Sequence, residues 1–210
     1  MLGQDMKPRR DKMNPDVIEV HHNWSRCVQR AFLMGVDPLT GRDVSYRREW
    51  LASLTEYLVS VFSVEVATDN MLGNHFHQLV RNRPDVAHQW SDEEVCWRWK
   101  MAWPQFDNPV WRCEPTDESI DAMLLRGQNE EGYLAGIRRN LHNISWFQAR
   151  LKQTIAWLVN RDYPKDEQKR GHHWEARYGN RRLETESETV TNFLYIDLQQ
   201  VKARMADSVE

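Results

Sequence analysis

Apolar residues recur along this chain with two periods, and the change from one to the other marks out its elements. In VSYRREWLASLTEYLVSVF, residues 44–62, Trp50, Leu51, Leu54, Leu58, Val61 and Phe62 fall three and four apart, which predicts an amphipathic helix. The same spacing links Leu134, Ile137, Leu141, Ile144, Phe147, Leu151, Ile155 and Leu158, so a long helical region is expected from about Glu131 to Asn160. Elsewhere the pattern is strand-like. VIEVHHNWSRCVQRAFLM (17–34) reads as strand material, followed by the Pro/Gly-punctuated loop GVDPLTGRD. SVEVATDNML and HFHQLVRN read as two strands broken by Gly73-Asn74 and closed by Pro84, a hairpin or a bulged bend. Residues 91–115 read as helix followed by loop, RDYPKDEQKRGHHW as loop and HWEARYGNRRLE as a further strand. TESETVTNFLYIDLQQVKARMA reads as a last helix, opened by a Thr or Ser cap with acids in its first turn. Strands interleaved with helices in this order predict an α+β fold: a mainly antiparallel sheet with helices packed on it.

Composition narrows this further. The 210 residues suffice for one domain with a core, and 40% hydrophobic with 28% charged residues reads as soluble and globular. No run of eighteen apolar residues predicts a membrane span, and the polar start MLGQDMKPRRDKMNPD lacks the apolar segment of a secretory signal. Cys27, Cys96 and Cys113 are odd in number and far apart, which suits reduced thiols in a cytoplasm rather than a disulfide framework.

Net charge is −3, yet it is unevenly spread: residues 114–131 are acidic, whereas residues 138–182 carry eleven Lys and Arg against four acids. Such a basic half could follow a phosphate backbone or form a solvated face. Ten tryptophans are present, with Trp90, Trp97, Trp99, Trp103 and Trp111 clustered; core packing and base stacking are both open to them.

The chemistry concentrates at MLGNHFHQLV, residues 71–80. On a strand, side chains alternate between faces, so His75 and His77 share one face at Cα positions about 7 Å apart, while Phe76 turns the other way. Two imidazoles so placed can share a divalent cation if a third ligand comes from elsewhere; alone, the pair can equally be structural.

MLGNHFHQLV resembles the N-H-x-H-x-L-V signature of the HUH transposases that use a single tyrosine, in particular the REP-associated tyrosine transposases. A second segment, residues 171–206, is similar to that family's G-H-x-W-x-x-R-[FY] strand, through Gly171, His172, Trp174, Arg177 and Tyr178, and to its tyrosine helix, through Tyr195, Ile196, Val201 and Ala203. HHNWSRCV near residue 21 is similar to the family's first strand. The resemblance spans residues 17–206 in order; it sets off 1–16 as a flexible lead-in, 207–210 as a tail and the poorly matched 85–130 as a Trp-rich insertion.

This resemblance implies a ferredoxin-like, HUH-type α/β sandwich and a definite chemistry. Tyr195 is the implied nucleophile. His75, His77 and Gln199 are the implied ligands of Mg²⁺ or Mn²⁺, and Arg177, Arg181 and Arg182 are weaker candidates for phosphate contacts. Tyr195 and Gln199 lie four apart, so a helix puts them on one face. The family often has asparagine where Gln199 stands, and its following proline is replaced by Gln200. The implied reaction nicks single-stranded DNA at a hairpin-forming repeat through a 5′-phosphotyrosine link, freeing a 3′-hydroxyl that can reverse the attack. A free phenol titrates near pH 10, so a nearby cation or base is required; Asp197 and Glu175 are the base candidates in sequence. The resemblance further implies single-stranded or hairpin DNA as partner, no membrane, a monomer or a homodimer, and a bacterial cytoplasmic, nucleoid-associated setting. Two other readings compete: a domesticated hairpin-DNA-binding protein without cleavage, and an unrelated metallo-hydrolase using His75 and His77.

Overall fold

Residues 13–108, 110–165 and 172–199 are described by a computed structural model. In chain order its elements are β1 (Val20–Arg26), α1 (Arg47–Val61), β2 (Val64–Met71), β3 (His75–Asn82), α2 (Pro84–Ala87), α3 (Asp92–Met101), β4 (Gln105–Asp107), β5 (Val110–Arg112), α4 (Asp117–Asn129), α5 (Tyr133–Leu141), α6 (Ile144–Asp162), β6 (Gly179–Leu183) and α7 (Glu186–Asp197). Four strands form one sheet in the order β2-β3-β1-β6, every neighbouring pair antiparallel. α1 connects β1 to β2 around β3, and α6 belongs to the connection from β3 to β6 around β1. These two interleaved crossovers make the expected α+β, ferredoxin-like arrangement.

The pleat decides what each face does. His21, Asn23 and Ser25 of β1, with Phe76, Gln78 and Val80 of β3, face α1 and α6; His22, Trp24 and Arg26, with His75, His77 and Leu79, face the other way. On the first face Leu51, Leu54 and Leu58 of α1 and Phe147, Leu151 and Ile155 of α6 are fully buried with Phe76 and Val80. Each such side chain contributes about 1.5–3 kcal/mol through removal from water. A polar thread crosses this core: Gln148 donates to Gln78 Oε1 at 2.8 Å, and Gln78 Nε2 to Thr55 Oγ1 at 3.2 Å, tying α6, β3 and α1 together.

Several elements differ from the sequence expectation. The long helical region breaks at His142-Asn143, where Asn143 caps α6 by accepting from Ser145 N at 2.8 Å; the apolar spacing continues across the cap, so periodicity cannot reveal it. Residues 105–112 carry the β4–β5 hairpin where a loop was expected, with Trp111 Nε1 donating to Ser53 Oγ at 2.9 Å. The acidic stretch contains α4, capped by Thr116. The strand expected over 173–184 narrows to Gly179–Leu183, with Trp174 making only an isolated bridge to Cys27. Of the five clustered tryptophans, Trp111 is buried, Trp97 and Trp103 are exposed, and Trp90 and Trp99 are intermediate. Gly171, Val201 and Ala203 of the family resemblance, Gln200, residues 1–12 of the lead-in and the 207–210 tail lie outside the described residues. Among the described residues no helix is long and apolar enough to cross a membrane.

Packing beside the sheet has a pH consequence. His173 is 4% exposed, and burial pushes its imidazole down to about 4. Unfolding restores an ordinary histidine near 6.5, so between pH 6.5 and about 4 the unfolded chain binds the extra proton and stability falls as pH falls. At about 1.4 kcal/mol per pKa unit, this group accounts for about 3 kcal/mol across that window. A His173→Gln variant is expected to lose part of the drop in denaturation midpoint between pH 7 and pH 4, read by urea titration at each pH.

Candidate active site

β3 brings the two sequence-predicted histidines to one face, with ring centroids 5.3 Å apart and planes 85° to each other. Their register partners on β1 are Arg26 and Trp24. Phe76 between them turns inward and packs edge-on against Trp174 at 5.5 Å. The hairpin before His75 is set by close backbone approach: a Cβ on Gly35 would lie 2.7 Å from Gly73 Cα, and Met34 N donates to Gly73 O at 2.9 Å. Asn74, in the turn, accepts Cys27 N at its carbonyl (2.8 Å) and donates to Arg30 O (3.2 Å). Gln29 and Arg30 hold positive φ of 53° and 57°, left-handed backbone unfavourable by about 1–2 kcal/mol per residue, and thereby present that carbonyl. Asn74 Oδ1 then meets His75 Nδ1 at 2.6 Å, which orients the ring.

A third histidine belongs to this cluster and was not singled out from sequence. His22, on the neighbouring strand, places Nε2 2.9 Å from His77 Nδ1, with ring centroids 5.1 Å apart. The Asn192 side chain on α7 stands beside it and favours its protonated form. The signal was present as alternation: His22 shares the sheet face of Trp24, but only the β1–β3 register shows that it reaches His77. Burial lowers His22 to about 4; burial, helped by the neighbouring His22 and His75 charges, lowers His77 to about 3; and burial also lowers His75. All three imidazoles are therefore neutral at pH 7. Asn192 Nδ2 donates to Glu188 O at 2.9 Å, which holds that side chain against α7. With both rings neutral, the 2.9 Å contact joins the N–H of one to the lone pair of the other and so couples the tautomers of His22 and His77.

These features fit a divalent cation at the two imidazoles. Each has its Nδ1 occupied by a partner that fixes the ring, the usual support of a metal-bound histidine, and each is uncharged. Among the described residues no three His, Cys, Asp or Glu side chains are grouped to hold a metal ion, so the protein nitrogens would leave positions for oxygen ligands. His22→Phe is expected to release the His77 tautomer and weaken Mn²⁺ binding about 10–100-fold. Imidazole ¹⁵N shifts of the metal-free protein and a Mn²⁺ titration check this; an unchanged His77 tautomer would overturn it.

α7 lies on the same face of the sheet. Its start is a capping box, with Thr185 accepting Glu188 N at 3.1 Å and the Glu188 carboxylate accepting Glu184 N at 2.8 Å. Its far end is anchored by fully buried Ile196, which packs with Leu79 and Leu183. Two bonds to β2 complete the anchor: Asn70 Nδ2 donates to Ile196 O at 2.9 Å, and Thr68 Oγ1 to Asp197 Oδ1 at 2.8 Å. This docking brings the Tyr195 ring to 6.0 Å from His77 and 5.9 Å from His22, edge-on to both, with 40% of the residue exposed.

The remaining expected site residues fall in different places. Gln199 is buried and turns back along its own helix, its Nε2 donating to Tyr195 O at 3.2 Å. Asp197 is engaged by Thr68, as above. Glu175 donates its backbone N–H to Arg26 O at 2.9 Å. Arg181, paired in register with His22, faces the cluster and reaches Glu188 at 3.2 Å. Adjacent Arg182 projects to the opposite face and binds Glu19 and Glu184 at 3.0 and 2.7 Å. Arg177 is exposed ahead of β6. Trp24 borders the site beside His22, and it lies so close on Gly179 that a Cβ there would come within 2.3 Å of the indole.

Set against protein-family models and against characterised proteins, the chain matches none.

Proposed function

We propose that this chain nicks and rejoins single-stranded DNA through a covalent tyrosine intermediate, acting as a transposase-type strand transferase at hairpin-forming repeats. The observation that carries the reading is the position of Tyr195: on a helix docked over the histidine face, its ring stands 6.0 Å from His77. The Tyr195 oxygen attacks the scissile phosphorus; the P–O3′ bond breaks, the 5′-phosphate stays on tyrosine and the phenolic proton ends on the released 3′ oxygen. A 3′-hydroxyl reverses the step, so rejoining requires no outside energy source. Mg²⁺ or Mn²⁺, held by His75 and His77 with Gln199 as the family's third ligand, supplies Lewis-acid neutralisation of the phosphate charge when bound. His22 steadies the His77 ring through the 2.9 Å contact between them. The substrate places the protein at the bacterial nucleoid, as a monomer or a homodimer.

The test uses a hairpin oligonucleotide with single-stranded flanks, labelled at either end. With Mn²⁺, the 3′ label is expected to enter a protein band that survives denaturation, and the 5′ label to leave on a shorter fragment ending in 3′-hydroxyl; EDTA removes both. A second reading, a hairpin-binding protein without cleavage, is favoured by Gln199, which is buried and has its Nε2 tied back to Tyr195 O. That reading gives a mobility shift and no adduct. A hydrolysed product free of protein would point instead to a metallo-hydrolase.

A further inference from the structure

We propose that the outer face of α6 is a separate contact surface for single-stranded DNA, made by Trp146, Arg150, Trp157 and Arg161, with Trp99 and Trp103 beside its first turns. The four α6 positions are separated by four, seven and four residues, which places them on one face of a helix. Phe147, Leu151, Ile155 and Val159 occupy the buried side; Trp157 and Arg161 are exposed, while Trp146 and Arg150 are half-buried, with Trp146 resting on the edge of the core. The outer face also lies across the sheet from the histidine cluster, so the surface is independent of cleavage.

Three observations select single-stranded nucleic acid as the occupant. First, indole surface is left in water: Trp157 is 52% and Trp103 43% exposed. Large aromatics left exposed in this way supply the flat faces on which unpaired bases stack. Second, arginines are already layered on these rings, Arg161 at 4.3 Å from the Trp157 centroid and Arg150 at 4.9 Å from that of Trp103. Arg161 is held at the surface by this stacking and has no carboxylate partner among the described residues, so its donors are open to phosphate; Arg150 is half-buried with its Nε enclosed. Third, the helix offers positive charge without competing acid. On this face it carries Arg150 and Arg161, and its one carboxylate, Asp162, is clamped by Arg47 at 2.7 Å and Tyr46 at 2.5 Å. Trp99 and Trp103, 4.8 Å apart, extend the aromatic track past Trp146, which lies 5.2 Å from Trp99. Nineteen residues of helix give a track about 28 Å long, enough for several nucleotides. A protein partner would also exploit Trp and Arg, but arginines stacked along a helix whose one carboxylate is already engaged complement a phosphate chain better.

The experiment uses the full chain as Tyr195→Phe in EDTA, with a fluorescein-labelled oligothymidylate, which forms no hairpin, titrated by anisotropy. Trp157→Ala is expected to weaken binding about tenfold, in line with the loss of one stacked base. Arg161→Ala is expected to lower the slope of log affinity against log salt by about 0.7, the value for one phosphate contact on a single strand. Circular dichroism should be unchanged, because both side chains are exposed; Arg161→Glu, expected to weaken binding further, gives a second variant should Trp157→Ala perturb the fold. If the parent chain does not bind oligothymidylate, or the Trp157 and Arg161 variants bind as it does, the surface is not a DNA contact. Either failure leaves the nicking reading untouched, just as absence of the tyrosine adduct in the cleavage assay leaves this one untouched.

Discussion

Tyr195→Phe is expected to abolish covalent capture of single-stranded DNA, a loss of at least about 10³-fold, while hairpin binding stays within about twofold. The substitution is discriminating because it removes one oxygen and nothing else. The ring keeps its edge-on packing against His22 and His77, Ile196 still anchors the helix in the sheet, and the histidine cluster is undisturbed. Loss of the adduct would therefore report missing nucleophile rather than a missing fold. Other tyrosines are poorly placed to substitute. The Tyr178 hydroxyl is 2.7 Å from Ser145 Oγ on α6, and Tyr163 stacks with Arg47, both away from the histidine face. Tyr133 stacks with Arg126 between α4 and α5. Denaturing electrophoresis of the end-labelled hairpin, beside a mobility-shift titration of the same variant, measures both quantities. An adduct that persists in the phenylalanine variant would overturn the assignment.

The largest expected loss of stability lies elsewhere, at Asp162→Ala. Arg47, at the start of α1, is fully buried, and its Nε and Nη2 donate to Asp162 Oδ2 at 2.9 and 2.7 Å while Nη1 donates to Leu33 O at 3.1 Å. The pair locks the first turn of α1 to the last turn of α6. Removing the carboxylate strands a guanidinium without its counter-charge in the interior, which costs about 3–5 kcal/mol. Asp162 keeps 22% side-chain exposure, so water relieves part of that penalty and the lower end is expected. About 3 kcal/mol in a chain of this size lowers the melting temperature by about 10 °C. Asp16→Ala is the control. It breaks a comparable bidentate contact to Arg139, but both side chains there are more than half exposed, so solvent screening leaves the pair little effect on stability. Thermal denaturation of the two variants side by side checks the contrast; equal losses would show that burial does not govern these pairs.

The reach of the sequence is clearest at β3 and α7. Alternation alone put His75 and His77 on one face, because a pleated strand has no other way to present them, and a Thr or Ser cap followed by acids announced a helix bearing Tyr195. Those are local properties. A strand's period, a helix's caps and an apolar stripe depend on neighbours a few residues away, so they can be read from the chain directly. What local pattern could not decide was which side of the sheet the last helix would cover. Ile196 selects that side by packing with Leu79 and Leu183, residues far apart in sequence, and Thr68 and Asn70 complete the selection with hydrogen bonds from β2. His22 was hidden for the same reason, since its reach to His77 depends on the pairing register of β1 with β3. Periodicity also missed the break at Asn143, where the apolar phase runs through a side-chain cap. The sequence by itself determined the faces; the tertiary structure alone decided which faces meet, because that outcome is set by long-range burial and strand register, which no short window of residues contains.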